Sequence, residues 1–207
     1  MPKQRPSIDR IAELQQLIAD FACIERVLNL ADKNRPENDV DHSYGLALTV
    51  WFLAPKLAPE LSQEKVLKYA LAHDIVELHA GDTFVFAPED QLSTKNDRED
   101  KALKQLAKEW PDFPELIDYA RGYKDKRDEE AKFVYAVDKI LPPILINLGE
   151  KSDYWRKHKI TKQMHNDKKR TILVSKHLKP YYQMLLDWTD SPNYFHNPEQ
   201  EKSSTKK

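Results

Sequence analysis

Three apolar helical rows in this chain are each broken by side chains that water solvates well, and any fold must dispose of all three. In a helix predicted from near Asp41, His42 tops the row Leu46, Thr49 or Val50, and Leu53. In the next, capped by Ser62 and running to about His79, Asp74 interrupts Leu67, Ala70, Leu71 and Leu78, with His73 beside it. In a later one, Ala131 to Leu141, Asp138 lies among Val134, Val137, Leu141 and Leu145. At about 3.6 residues per turn such positions share a face. A carboxylate there is costly unless something compensates it.

The rest of the chain also reads as helix. Ser7 caps a stripe of Ile8, Ile11, Leu14, Ile18 and Phe21 that continues to about 31, and a polar loop with Pro36 follows over 32–40. Pro55 and Pro59 end the second helix, and residues 83–92 are irregular. Thr94-x-x-Asp97 opens a helix to Trp110, and a shorter one reaches Tyr123. Residues 124–130 form a charged connection, and Pro142-Pro143 breaks the helix that carries Asp138. A last helix, Thr161 to Thr189, is kinked at Pro180. No segment of any length has strand period. The expectation is an all-α, single-domain helical bundle of about six to eight helices over 1–190, with a flexible tail over 191–207.

Charge excludes several classes. With 33 basic and 34 acidic residues the net charge is -1, so no global field draws the chain to nucleic acid or membrane. Cys23 is the only cysteine, which rules out an intrachain disulfide and makes a reducing cytoplasm the simplest setting. No signal peptide and no run of roughly 18 apolar residues occurs. The four glycines form no phosphate loop.

Taken singly, each polar intruder has an ordinary explanation: His42 as a hydrogen-bonded core residue, Arg26 and Glu77 as surface ion-pair partners. Together those explanations need several independent partners for buried polar groups. One shared divalent ion satisfies His42, His73, Asp74 and Asp138 at once. Two imidazoles and two carboxylates suit Mn, Co, Mg, Zn, Fe or Ni, and they leave positions open as a catalytic site requires. Glu77 follows Asp74 by three residues, on the same patch.

The pattern His42, His73-Asp74, Asp138, with separations of 31 and 64 residues, resembles the HD-domain metal-dependent phosphohydrolases. The segment Arg35-Pro36-Glu37-Asn38-Asp39-Val40-Asp41-His42-Ser43 is similar to one in their 5'-deoxynucleotidase subgroup. So are His73-Asp74-x-x-Glu77-x-x-x-Gly81-Asp82 and Asp138-Lys139. The resemblance covers roughly residues 20–150. It implies metal ligation by His42, His73, Asp74 and Asp138, handling of the attacking water by Glu77, a sugar contact from Asp82 and phosphate binding by Arg26. Arg35 is expected at the substrate or as a brace for the loop before His42. Val27 stands where the subgroup carries a tryptophan that excludes a ribose 2'-hydroxyl, which weakens any expected deoxyribose selectivity.

The expected activity is removal of the 5'-phosphate from nucleoside monophosphates by a metal-activated water, in a protein that is a homodimer, as such enzymes often are. Two other readings compete: an HD phosphohydrolase of nucleoside polyphosphates or another small phosphorylated metabolite, and a helical module that binds nucleotide without turnover. His79 is expected in a structural or surface role, and His158, His165, His177 and His196 at the surface. The lysine-rich stretch Lys157 to Arg170 reads as a solvated face, and Lys139 suits either phosphate or an acidic neighbour.

Overall fold

The computed structural model describes residues 5–30, 35–149, 152–190 and 194–198. Ser7 caps α1 (Ile8–Phe21), its hydroxyl accepting from the Arg10 amide at 3.1 Å. The helix stops well short of 31. The chain reverses and β1 (Glu25–Asn29) pairs antiparallel with β2 (Pro36–Asn38), Glu25 facing Asn38 and Asn29 facing Pro36. Leu28, within the stretch to 31 expected as helix, is instead buried from β1. Part of the loop expected over 32–40 lies outside the described residues; the rest is β2 and the first turn of α2.

Asn38 caps α2 (Asp39–Leu57) reciprocally: its side chain accepts from the Asp41 amide at 2.9 Å, and the Asp41 carboxylate accepts from the Asn38 amide at 3.3 Å. The helix buries His42, Leu46 and Val50 on the predicted row, with Ala54 buried where Leu53 was expected, and Pro55 sits inside its last turn without ending it. Its outer face exposes Tyr44, Leu48, Trp51 and Phe52.

The third helix is shorter than expected. α3 (Gln63–Ala72) ends one residue before His73, and the chain re-enters helix only at α4 (Glu77–Ala80). Between them the amides of Ile75, Glu77 and Leu78 bond three residues back, to Ala72, Asp74 and Ile75, which tightens the turn. The buried row also differs in phase from the expected one. Val66, Tyr69, Ala70, Ala72 and His73 are buried while Leu71 is 57% exposed, so the histidine takes the core position and Asp74 its rim. Gly81 follows at φ 71, ψ 149, a conformation that glycine adopts without strain, and it turns Asp82 back toward His73.

α5 (Glu89–Glu109) starts directly after Pro88, not at Thr94, whose hydroxyl bonds back to the carbonyls of Asp90 and Gln91. α6 (Pro114–Asp125) and α7 (Glu129–Leu148) follow. α7 does not break at Pro142-Pro143. The prolines remove the amides that would serve the carbonyls of Asp138 and Lys139, and packing on both sides holds the helix together. α8 (Ser152–Lys157) precedes the predicted final helix, which is itself divided into α9 (Lys162–Lys169), two short 3-10 turns over 170–178, and α10 (Lys179–Thr189), which Pro180 opens. These subdivisions turn six to eight expected helices into ten α-helical segments among the described residues, and the all-α expectation stands.

Three apolar clusters result. Leu46, Val50, Tyr69, Phe133 and Val137 join α2, α3 and α7. Leu17, Phe21, Ile75, Leu106 and Trp110 join α1, the His73 turn and α5. Tyr154, Trp155 and Ile160 gather Leu28, Ile146 and Tyr194. The tail assigned to 191–207 lies mostly outside the described residues. Within 194–198, Tyr194 is buried and donates to Asn147 Oδ1 at 2.9 Å.

His165, expected at the surface, is fully buried against the Trp155 and Phe195 rings. Burial, aided by Lys169, pushes its pKa down from 6.5 to about 4. The unfolded chain thus takes up this proton first, so stability present above pH 6.5 drains away as the pH falls toward 4. The loss is on the order of 3 kcal/mol. Thermal melts between pH 7 and pH 5 are expected to show a shallower decline for His165→Gln than for the native chain; parallel declines would show that His165 carries none of it.

Candidate metal centre

α2, the His73 turn and α7 deliver one side chain each to a single buried point. His42, His73 and Asp138 each place a ligand-capable atom within 4.8 Å of the others, and all three are buried. The two imidazole rings lie 5.3 Å apart, centre to centre. Each ring is oriented by a neighbour. His73 Nδ1–H donates to the Ala70 carbonyl at 2.8 Å, which leaves Nε2 facing inward. His42 Nδ1 lies 3.4 Å from Glu37 Oε1 and Nε2 lies 3.0 Å from Asp138 Oδ1. A carboxylate behind a histidine is the usual way to fix the ring of a metal ligand.

Asp74 stands at the edge of this trio, with Oδ2 2.8 Å from His73 Nε2 in a geometry that makes no hydrogen bond. In the neutral imidazole that contact sets lone pair against lone pair, and a shared cation relieves it. Asp74 also joins Asp39 and Glu77 in a second acidic group whose ligand atoms lie within 4.8 Å of one another. The four predicted ligands are thus brought together, and Asp39 joins them unforeseen. Buried atoms without a hydrogen-bond partner lie among these groups: His73 Nε2, Asp39 Oδ2 and Glu77 Oε2. Such orphaned donors and acceptors, with nitrogen and carboxylate oxygen converging, fit a divalent ion.

Arg26 reaches the acids from β1. Its Nη1 lies 2.9 Å from Asp74 Oδ2, 3.2 Å from Asp39 Oδ1 and 3.9 Å from Glu77 Oε2, and its Nε lies 3.3 Å from Glu37 Oε2. Burial opposes ionisation of Asp74, but His73 and Arg26 outweigh it and hold that carboxyl far below its usual range. Burial likewise opposes ionisation of Asp138, and Lys139, His42 and His73 prevail. Glu77 is the opposite case. Burial first, then Asp74, Asp82 and Asp39, push its pKa well up despite Arg26. Asp39 rises to about 6, through burial and Asp74.

A cavity of about 370 Å³ opens above these groups, where the three apolar clusters meet. Its lining includes the acids Asp74, Glu77, Asp82 and Asp138, the rings of Phe84 and Phe86, and Lys126, Lys139 and Lys169. Arg35 is not brought there: it is exposed and spends its guanidinium on Asp41, at 2.6 and 3.1 Å. It braces the α2 cap. His79 pairs with Glu109 on the surface, as expected.

A model of the HD domain matches residues 24–179. The chain belongs to the HD domain family. No curated protein matches this HD-domain chain. Among solved structures, a predicted metal-dependent phosphohydrolase from Magnetospirillum magnetotacticum aligns with a TM-score of 0.76 at 28% identity, covering 91% of this chain and 99% of that one. A conserved hypothetical protein from Pyrococcus furiosus, 24% identical with a TM-score of 0.58, covers 84% of this chain and 98% of its own. A Pyrococcus horikoshii protein gives the same identity and TM-score over 85% of this chain and 98% of its own, so both archaeal proteins share the fold.

Several contributors to the HD-domain site escaped the sequence reading. Tyr123 donates to Asp138 Oδ2 at 2.5 Å, and nothing in its neighbourhood marked it. Asp39 was visible only as part of the Arg35 to Ser43 segment. Lys169, placed on a solvated face, is instead buried, its Nζ donating to the Lys139 carbonyl at 2.8 Å. That carbonyl is one of the two freed by the diproline, and only the three-dimensional approach of α9 to α7 reveals the match.

Proposed function

We propose that the protein is a metal-dependent phosphohydrolase that removes the 5'-phosphate from nucleoside monophosphates, accepting ribose as well as deoxyribose. The observation that carries this reading is the convergence of His42, His73, Asp74 and Asp138 beneath a cavity of about 370 Å³, within the usual size range of small-molecule sites. The Magnetospirillum structure, similar along nearly its whole length, supports the phosphohydrolase class. His42, His73, Asp74 and Asp138 would hold the ion, with Glu37 and the Ala70 carbonyl keeping the imidazoles in register. A divalent ion there supplies charge neutralisation for phosphoryl oxygens and lowers the pKa of water.

The chain's own residues do the rest. Glu77, buried among acids, binds a proton more readily than an ordinary carboxylate and is placed to orient the attacking water and take its proton. The water oxygen bonds to phosphorus, the P–O5' bond breaks, and the proton passes to the departing O5'. Asp82 offers an acceptor to a sugar hydroxyl, and Phe84 and Phe86, an edge-on pair at 5.6 Å, offer an apolar wall to the base. Val27 lines the same cavity and fills far less space than the tryptophan of the subgroup, leaving room for a 2'-hydroxyl.

The test is a phosphate-release screen of ribo- and deoxyribonucleoside monophosphates with Mn, Co and Mg. Release from both sugar series is expected, with loss in Asp74→Ala. No release from any monophosphate, while Asp74→Ala binds metal as the native protein does, overturns the reading.

A further inference from the structure

The cavity has two cationic sides of different character. Arg26 is the residue a family resemblance assigns to phosphate, yet four carboxylates, Glu37, Asp39, Asp74 and Glu77, lie within 3.9 Å of its guanidinium. Its guanidinium is committed to acids before any substrate arrives. The lysines of the lining are placed otherwise. Lys139 has one acidic partner, Asp138, at 2.6 Å. Lys126 Nζ lies 4.2 Å from the centre of the Tyr135 ring and 3.3 Å from the Lys124 carbonyl. Lys139 Nζ approaches the same ring, at 5.0 Å. Lys169 is 6% exposed, and among the described residues its Nζ donates to the Lys139 carbonyl alone. Among the described residues no carboxylate lies within ion-pairing distance of Lys126 or Lys169.

A buried lysine whose Nζ meets only a carbonyl has shed its hydration and gained no countercharge, and burial, with Lys139 nearby, pushes its pKa from 10.5 down to about 7. The cost is not needed to satisfy the carbonyl that Pro143 frees, since a neutral donor would do that. An ammonium has three donors, and the carbonyl takes one. Lys169 lines the same cavity as Asp138, the acid next to Lys139 in the chain. An anion in that cavity would supply what Lys169 lacks.

We propose that the substrate's phosphate is received by a lysine pole formed by Lys169 and Lys139, flanked by Lys126, and that Arg26 is a brace holding the acidic cluster together. The inference rests on the phosphohydrolase reading for its substrate, and on the cavity geometry for its site. The diproline gives the pole its perch: Pro143 leaves the Lys139 carbonyl open, and that carbonyl fixes the Lys169 side chain at the cavity wall.

Inorganic phosphate is the probe, titrated calorimetrically into the metal-loaded full-length protein. Lys169→Met, which keeps the length and apolar body of the side chain, is expected to weaken phosphate binding about tenfold to a hundredfold, as loss of a charge-assisted hydrogen bond does. The KM for a nucleoside monophosphate should rise by a similar factor, with metal content unchanged. Lys126→Met, on a half-buried side chain, should weaken phosphate binding by a smaller factor and guards against a folding defect in the first variant. If Lys169 only caps a carbonyl, Lys169→Met lowers the melting temperature and leaves phosphate affinity intact, and the proposal falls. It falls too if the native protein binds no phosphate, or if neither variant changes its affinity. Phosphate binding that depends on Lys169, in a protein that hydrolyses no monophosphate, would uphold the pole and reject the proposed reaction. Hydrolysis that is indifferent to Lys169 would do the reverse.

Discussion

Asp138→Ala is expected to lose both metal binding and phosphate release, and to melt roughly 10 °C below the native protein even without metal. The two effects have separate origins. Asp138 is 2% exposed and fully engaged: Oδ1 faces His42 Nε2 at 3.0 Å, and Oδ2 accepts from Tyr123 Oη at 2.5 Å and from Lys139 Nζ at 2.6 Å. It is the one acid in contact with Lys139 and His42 together. Truncation leaves an ammonium, an imidazole and a phenol in low dielectric with their common acceptor gone. Breaking a buried ionic network from one side costs about 3–5 kcal/mol. Loss of metal follows because the carboxylate is one of the three groups within 4.8 Å of one another. Differential scanning fluorimetry on chelated protein reads the first effect, and calorimetric metal titration the second. A variant that melts with the native protein and still binds one ion would remove Asp138 from the centre.

The residues that proved legible in the sequence are those set by regular helices. On α2 and α7 the apolar row is periodic from end to end, so His42 and Asp138 were placed correctly by counting. Counting failed on α3 and just beyond it. The row drawn through Leu67, Leu71 and Asp74 is already one residue out of phase with the buried Val66, Tyr69, Ala70 and His73 in α3, and the three-residue-back hydrogen bonds over 75–78 then break the helical count toward Leu78. β1 and β2 carry too few residues for a period to show. Their pairing is non-local, and it is that pairing which brings Arg26 to the acids. Lys169 was misread for a related reason. A helical wheel reports the composition of α9 but not the unserved carbonyl that α7 presents to it. Proline carried the signal, since Pro142-Pro143 announced two free carbonyls, but which donors would find them depended on packing.

The stability of the acidic cluster should respond to mutation with the opposite sign. Glu77→Gln is expected to lower kcat by about 10²- to 10⁴-fold, the usual worth of a positioned general base, while raising the melting temperature of the metal-free protein. Glu77 is 4% exposed and shares its surroundings with Asp39, Asp74 and Asp82. Among the described residues two cations lie near it, Arg26 Nη1 at 3.9 Å and Lys95 Nζ at 3.8 Å, and Glu77 Oε2 is buried without a hydrogen bond. Glutamine keeps the shape, spares the fold the cost of either ionising or protonating a carboxyl among these acids, and brings an amide N–H₂ for which the neighbouring carboxylates are acceptors. Metal stoichiometry should hold, because His42, His73, Asp74 and Asp138 are untouched. The paired outcome separates two kinds of buried acid. Asp138 is matched by its cations and holds the fold together, so its loss costs stability and activity alike. Glu77 is mismatched with its surroundings, and a group that destabilises the fold is retained only where its chemistry is needed. Steady-state kinetics and melting of chelated protein decide the matter. A native kcat, or a melting point that falls as it does for Asp138→Ala, would show Glu77 to be a structural acid.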